Sequence, residues 1–296
     1  MLYEISMNIT YVYDIPAAGG RQRLYLAPKS IPDVQTVNHF SIEVSPKPSE
    51  IFTSHDFFGN DVHSIAFRES HSKISFQMNC EVMREPQKFN HSKSPDLRSM
   101  DKLLANQTEI SALSPWHFAG ASPRLRHVSE IEAYAKALVQ PDMPVLDVVT
   151  HINQSLHRDL TFNSHATDVH TPVEVAFENK HGVCQDFSHI MIACLRSIGV
   201  PAGYVSGFLR TFPPPGKPRL EGADAMHAWV RAWLGPDIGW VELDPTNNIF
   251  AGEDHIITAY GRDYSDVAPV KGVLRIAGVQ SSSHSVDVRP LEVSAN

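Results

Sequence analysis

Residues 181–201 read HGVCQDFSHIMIACLRSIGVP, and this stretch says more about the fold than any other part of the chain. From Phe187 to Ile198 its apolar residues recur at the spacing i, i+3, i+4, i+7, which predicts an amphipathic helix with one buried face. Gly199 can take the left-handed conformation that ends a helix, and Pro201 cannot continue one. The stretch therefore predicts a single helix whose C-terminus lies just before Gly199.

The three cysteines of the chain differ in their predicted surroundings. Their number is odd and no CxxC spacing occurs, which argues against a disulfide framework or a zinc ribbon. Cys194 falls within the apolar stripe of the helix and Cys80 within a strand pattern, so both are predicted to be core residues. Cys184 lies in the first turn, where unpaired N–H groups favour a thiolate. It is the candidate nucleophile, although a buried cysteine that begins a core helix would show the same position.

A thiolate nucleophile needs a base, and the base needs a group that orients it. Two strand-like runs, residues 224–234 (DAMHAWVRAWL) and 240–246 (WVELDPT), flank the turn sequence GPDIG and predict a β-hairpin. His227 lies in the first run and Asp244 in the second. They are the candidate base and the candidate orienting carboxylate.

The length of the hairpin loop decides whether these two side chains meet. If residues 235–239 are all unpaired, Leu234 faces Trp240, and His227 and Asp244 then lie on opposite faces of the sheet. A contact between them requires a loop of even length or a β-bulge near one end of the loop.

Two further residues near these motifs are candidate substrate-binding residues. Gln185 is either a capping residue in the first helical turn or a substrate contact. Trp229 either lines a substrate cleft or belongs to the hairpin core. Among the sixteen histidines, His181 and His189 lie near Cys184 and compete with His227 as the base. No HExxH motif or common zinc spacing occurs, so no metal is predicted.

The rest of the chain predicts an α+β protein with two kinds of domain. Residues 2–90 contain short alternating runs typical of an antiparallel sandwich or barrel, whereas helical spacing begins near residue 125. We expect an N-terminal β domain over residues 1–120 and an α+β catalytic domain over 121–270. Residues 271–296 are predicted to form one or two strands that return to the N-terminal domain.

The composition excludes some classes of partner. The chain has 296 residues and a formal net charge of −8, which argues against binding to a phosphate backbone. It contains no apolar run long enough to cross a membrane and no visible secretory signal. We therefore expect a cytoplasmic protein that binds neither nucleic acid nor membranes.

Three motifs in order resemble the catalytic core of bacterial transglutaminase-like proteins. They are residues 182–189 (GVCQDFSH), 227–230 (HAWV) and 244–247 (DPTN), and the resemblance continues through residues 254–256 (DHI) and 261–272 (GRDYSDVAPVKG). The opening residues 11–16, YVYDIP, resemble the β domain that precedes this core. One departure is residues 163–167, NSHAT, where many relatives carry Pro-Gly before the threonine.

The resemblance implies a papain-like α+β fold with the nucleophile on a helix packed against an antiparallel sheet. It also implies acyl transfer on a peptide or protein carboxamide, with Cys184, His227 and Asp244 as the catalytic residues and no cofactor. Water as acceptor would make the protein a peptidase or amidase, and an amine would make it a transglutaminase. The alternatives are a non-catalytic peptide-binding scaffold that retains the fold and a metalloprotein that uses the histidine-rich middle of the chain.

Overall fold

The computed structural model describes residues 1–86, 94–212, 222, 224–275 and 278–291. The strands are β1 (Leu2–Ala17), β2 (Gly20–Leu24), β3 (Gln35–Ser45), β4 (Glu50–His55), β5 (Asp61–Phe67), β6 (His71–Arg84), β7 (Thr161–Phe162), β8 (His181–Gly182), β9 (Ala202–Leu209), β10 (Ala225–Trp233), β11 (Trp240–Asp244), β12 (Ile249–Phe250), β13 (His255–Gly261), β14 (Val270–Leu274) and β15 (Gln280–Leu291). The α-helices are α1 (Met100–Ala105), α2 (Ser129–Leu138), α3 (Val145–Asp159), α4 (Val173–Asn179), α5 (Cys184–Ser197) and α6 (Tyr264–Val267). The predicted α+β class is confirmed. No helix within these ranges is both long and apolar enough to cross a membrane.

Two four-stranded antiparallel sheets form the N-terminal β sandwich. Their strand orders are β15-β1-β6-β3 and β14-β2-β5-β4, and the apolar residues that face inward from the two sheets share one hydrophobic core. Alternating exposure along β1 and β6 is what a strand with one buried face requires. The last strand, β15, pairs with β1 over its length, and β14 pairs with β2. The C-terminal strands therefore complete both sheets of the sandwich.

The second core is built on a five-stranded antiparallel sheet of order β12-β11-β10-β9-β13, with α5 packed on β9 and β10. Helices α2, α3 and α4 pack against α5, which is buried from Gln185 to Leu195 except at Ala193. The helix ends as predicted, because Gly199 has a φ of 83° and Val200 donates its N–H to the carbonyl of Leu195. Met100 and Leu104 of α1 also belong to this second core. The domain boundary at residue 120 stays a prediction.

The five-stranded sheet curls so that its two edges approach each other. Only residues 251–254 connect the edge strand β12 to the opposite edge strand β13, and so short a segment cannot span a flat sheet of this width. The fully buried indole of Trp229 lies inside the curl, with its ring centroid 5.1 Å from that of His255. The curl therefore brings side chains of non-adjacent strands together.

The β10–β11 hairpin has an even number of residues between its paired ends. Trp233 pairs with Trp240, and the N–H of Leu234 donates to the carbonyl of Gly239 at 2.9 Å. The regular five-residue register, with Leu234 opposite Trp240, is therefore wrong, and the even-length alternative is correct. Gly235 and Gly239 both have positive φ, which lets the chain close this loop. In this register His227 and Asp244 lie on the same face of the sheet.

We expect the substitution Gly207→Ala to destabilise the fold by about 3 kcal/mol or more, because overpacking against backbone cannot be relieved by a side-chain movement. A Cβ atom at Gly207 would lie 2.0 Å from the carbonyl oxygen of Ile256 and 2.5 Å from the Trp229 ring. Equilibrium denaturation in urea measures the change. The matched control is Gly120→Ala, where a Cβ atom meets no atom within 4 Å. An equal free energy of unfolding for the two variants would contradict the tight packing described for β9.

Candidate active site

The start of α5 is fixed by the carboxylate of Asp186, which folds back over the residues before the helix. Its Oδ2 accepts hydrogen bonds from the N–H of Val183 at 2.8 Å and from the hydroxyl of Thr167 at 2.6 Å. A Cβ atom at Gly182 would lie 2.5 Å from the same oxygen, so only glycine fits there. Burial raises the pKa of Asp186, and the two hydrogen bonds oppose that shift. This cap places half-buried Cys184 as the first residue of the helix.

His227 of β10 and Asp244 of β11 form a buried pair on the face of the sheet that also carries Trp229. The Nε2 of His227 lies 2.8 Å from the Oδ2 of Asp244. The thiol of Cys184 lies close enough to the imidazole to raise its pKa. Because Nε2 is engaged by the carboxylate, Nδ1 is the nitrogen that remains for the sulfur. The structure thus brings together the three residues predicted as nucleophile, base and orienter.

The carboxylate of Asp244 has no exposed surface and accepts hydrogen bonds at both oxygens. Its Oδ2 faces the Nε2 of His227, the Nε2 of His255 at 3.1 Å and the side-chain amide of Asn247 at 2.7 Å. Its Oδ1 accepts from the backbone N–H groups of Thr246 at 3.0 Å and Asn247 at 3.2 Å. Burial by itself raises the pKa of Asp244, but the donors outweigh it and hold the pKa well below its usual range.

The electrostatics of His227 favour its cationic form. Burial lowers the pKa of the imidazole, but the hydrogen bonds with Asp244 and Cys184, together with their negative charges, raise it to about 10. A cationic imidazole next to a sulfur stabilises the thiolate, which is the nucleophilic form of cysteine. The arrangement is therefore suited to an ion pair between Cys184 and His227.

Trp229 lies below the candidate base and does not line a cleft. Its ring is stacked on that of His227, with centroids 6.1 Å apart, and it has no exposed surface. Its Nε1 donates to Glu242 at 2.8 Å, and the hydroxyl of Tyr260 donates to the other oxygen of that carboxylate at 2.8 Å. The prediction that Trp229 contacts the substrate is therefore replaced by a role in supporting the His227 ring.

The other candidate residues near Cys184, namely Gln185, His189 and His181, each contact groups other than Cys184. The side-chain amide of Gln185 is buried and lies 3.4 Å from the carbonyl oxygen of Val169, and its role in substrate binding stays a prediction. His189 is buried within α5 and accepts a hydrogen bond from the N–H of Tyr264, and burial lowers its pKa to about 3. His181 has its Nδ1 on the carbonyl of Asn179 at 2.8 Å. Neither histidine has a carboxylate partner such as His227 has.

Cys80 and Cys194 are core residues, as predicted. Both are buried, and burial raises the pKa of each thiol to about 12. Cys184 is the cysteine that the fold leaves partly exposed.

One group of side chains in the described ranges is compact enough to hold a metal ion, namely His227, Asp244 and His255, whose ligand atoms lie within 4.8 Å of one another. None of the histidines between residues 151 and 189, on which the metalloprotein alternative rests, belongs to it. The contacts within the group are 2.8 and 3.1 Å, which are hydrogen-bond distances, and Asp244 Oδ2 already faces a third donor. The arrangement therefore fits a hydrogen-bonded cluster better than a metal centre.

The sequence patterns missed two partners of Asp244, namely His255 and Asn247. Both occur in the motifs that carry the family resemblance, DHI at residues 254–256 and DPTN at 244–247. The sequence did contain a signal for such a partner, namely a polar residue that follows the orienting carboxylate at the end of a strand.

Comparison with known proteins agrees with this architecture. A model of the bacterial transglutaminase-like N-terminal region matches residues 3–83, and a model of the transglutaminase-like superfamily core matches residues 132–245. An uncharacterized protein of Mycobacterium tuberculosis is 30% identical over 99% of this chain and 94% of its own length. One of Mycobacterium leprae is 29% identical over 95% of this chain and 96% of its own.

Among solved structures, a candidate cysteine protease from Cytophaga hutchinsonii superposes with a TM-score of 0.77 at 20% identity, covering 100% of this chain and 92% of its own. That likeness shows a shared fold across both the sandwich and the core. The sequence matches cover the sandwich and the core in the same order. The chain therefore belongs to the transglutaminase-like superfamily and carries the bacterial transglutaminase-like N-terminal region.

Proposed function

We propose that the protein is a cysteine-dependent acyltransferase or hydrolase that acts on a carboxamide of a peptide or protein. The observation that carries the proposal is the position of the His227 ring, which lies 2.8 Å from Asp244 Oδ2 and close enough to Cys184 for the sulfur to raise the pKa of the imidazole. Nucleophile, base and orienting carboxylate in this order are the arrangement that activates a thiol for acyl transfer. A binding scaffold has no need to bury an imidazole on a carboxylate in contact with a thiol.

In the first half of the reaction the Sγ of Cys184 attacks the carbonyl carbon of the carboxamide, and a C–S bond forms. The negative charge moves to the carbonyl oxygen, which the N–H groups at the start of α5 stabilise, because the first turn of a helix leaves them without intrahelical acceptors. The C–N bond then breaks, and His227 gives its proton to the departing amine. The product is a thioester on Cys184 and a neutral imidazole.

In the second half, water or a primary amine attacks the thioester carbon and gives a proton to His227. The C–S bond breaks, and the thiolate–imidazolium pair is restored. Water yields a carboxylic acid, and an amine yields a new amide. Asp244 stays ionised throughout, because its five donors stabilise the anion and its contact with Nε2 of His227 keeps Nδ1 directed at the sulfur.

We expect alkylation of the folded protein with iodoacetamide at about pH 6 to modify Cys184 alone, about ten-fold or more faster than a free model thiol, because the adjacent imidazolium favours the thiolate. Cys80 and Cys194 are buried and serve as internal controls in the peptide map. The variant Cys184→Ser should lose both the modification and all acyl transfer. Labelling no faster than a model thiol would count against catalysis and favour the peptide-binding scaffold.

The raised pKa of His227 predicts the alkaline limit of the reaction. Since the imidazole is protonated below about pH 10, the acylation rate should hold through neutral pH and fall as the pH rises through about 10. The variant Asp244→Asn removes the charge that supports the imidazolium. It should move this fall toward neutral pH and lower the rate by about 10²- to 10⁴-fold.

The control for this measurement is Asp142→Asn, which removes one negative charge from an exposed position. Single-turnover acylation rates across pH provide the comparison. An unchanged pH profile in Asp244→Asn would show that Asp244 does not support the base.

Incubation with a glutamine peptide and a primary amine distinguishes the two acceptors. Mass spectrometry separates the amine adduct, the deamidated peptide and the cleaved chain, and Cys184→Ser in parallel reports the uncatalysed background. We expect at least one of these products to depend on Cys184. Their absence across several glutamine peptides, alongside rapid labelling of Cys184, would direct the search to other carboxamides.

A further inference from the structure

Both ring nitrogens of His255 are engaged, and the two contacts fix its tautomer. His255 begins β13 and is 1% exposed. The backbone N–H of Gly252 points at Nδ1 at 3.2 Å, and Nε2 lies 3.1 Å from Asp244 Oδ2. A backbone N–H can only donate, so Nδ1 must be the accepting, unprotonated nitrogen. The ring proton therefore sits on Nε2 and is donated to Asp244.

The backbone and ring of His255 are held by both parts of the protein. Its N–H donates to the carbonyl of Gly252 at 3.1 Å, which closes the turn that also supplies the donor to Nδ1. The fully buried Arg84, at the end of β6 in the sandwich, donates its Nε to the carbonyl of His255 at 2.8 Å. The edge of the Trp229 ring packs against the imidazole. These contacts leave the ring one orientation, with Nε2 toward Asp244.

The charged and titratable groups around this ring come from three elements. They are Asp244 on β11, His227 on β10, Arg84 on β6 and, behind Trp229, Glu242 on β11. Asp244 Oδ2 receives both histidines, so the oxygen that orients the base is itself held by a second donor. Without that donor the buried carboxylate would lose one of its five hydrogen bonds and would be free to tilt away from His227.

We propose that His255 is a positioning residue, which by donating from Nε2 to Asp244 Oδ2 holds the carboxylate that orients His227. This inference rests on the proposed function only in that His227 is taken as the base for Cys184. The short connection from β12 to β13 places His255 at the carboxylate, and the sandwich contributes through Arg84. The N-terminal β domain is thereby coupled to the geometry of the site.

Nitrogen-15 NMR of the unmodified protein, labelled at histidine, tests the tautomer directly. We expect His255 to show a protonated Nε2 and an unprotonated Nδ1 at neutral pH. A protonated Nδ1 on His255 would overturn the proposal, whether or not the protein is an enzyme. Assignment uses the loss of the corresponding signals in His255→Gln.

Two substitutions separate the donor from the acceptor. His255→Gln keeps an amide nitrogen near the position of Nε2, whereas His255→Asn keeps an acceptor near Nδ1 but is too short to reach Asp244. The readout is the ratio of the iodoacetamide alkylation rate of Cys184 at about pH 6 to that at about pH 10. At the higher pH an ordinary thiol is ionised without a cationic neighbour, so the ratio corrects for changes in accessibility.

We expect the ratio to fall about ten-fold in His255→Asn and to stay within about two-fold of the unmodified protein in His255→Gln. The reason is that the loss of a hydrogen bond to a charged group changes an equilibrium constant by about ten-fold. Thermal unfolding verifies that each variant is folded. Equal ratios in the two folded variants would overturn the proposal. If His255→Asn does not fold, the NMR result and the alkylation ratio of His255→Gln test the proposal instead. Slow labelling of Cys184 in the unmodified protein would instead refute the proposed function, while the tautomer measurement still tests the contact with Asp244.

Discussion

The buried charge of Asp244 is the constraint on which the rest of the site depends. A carboxylate with no exposed surface is stable only if its lone pairs are satisfied, and here five donors from the hairpin strand β10, the edge strand β13 and the turn after β11 satisfy them. The two histidines reach Asp244 only at one register and one curvature of the sheet. The loop of the β10–β11 hairpin and the connection from β12 to β13 are therefore parts of the site, although neither contributes a reacting atom.

Periodicity and end signals predicted the elements well because those signals are local. The apolar spacing and Gly199 defined α5, and alternation along the N-terminal runs indicated the sandwich. Local signals do not predict the register of the hairpin, since the residues of the loop do not reveal whether Leu234 is paired. The bond from Leu234 to the carbonyl of Gly239 decides the face on which His227 lies. The requirement that His227 and Asp244 meet predicted either an even-length loop or a β-bulge, and the structure has the even-length loop.

One partner that the sequence did not reveal, His255, depends on the curl of the sheet. His255 pairs through its backbone with β9, two strands away from Asp244, yet their side chains are in contact. The sequence allows Trp229 to be either a cleft or a core residue, because aromatic residues on a hairpin suit either role, and the closure of the sheet around it makes it core. Such contacts depend on three-dimensional closure, which periodicity along one strand does not describe.

The five-stranded sheet is joined to the β sandwich by apolar as well as polar contacts. Phe208 and Ile256 of that sheet pack into the sandwich core. Arg84 extends the same contact to the carbonyl of His255, so a polar bond accompanies the apolar packing. Burying a guanidinium is costly unless its donors are used, and Arg84 uses Nε and Nη1 on backbone carbonyls. A lysine at this position would lack the planar set of donors, so the junction depends on arginine chemistry as well as on charge.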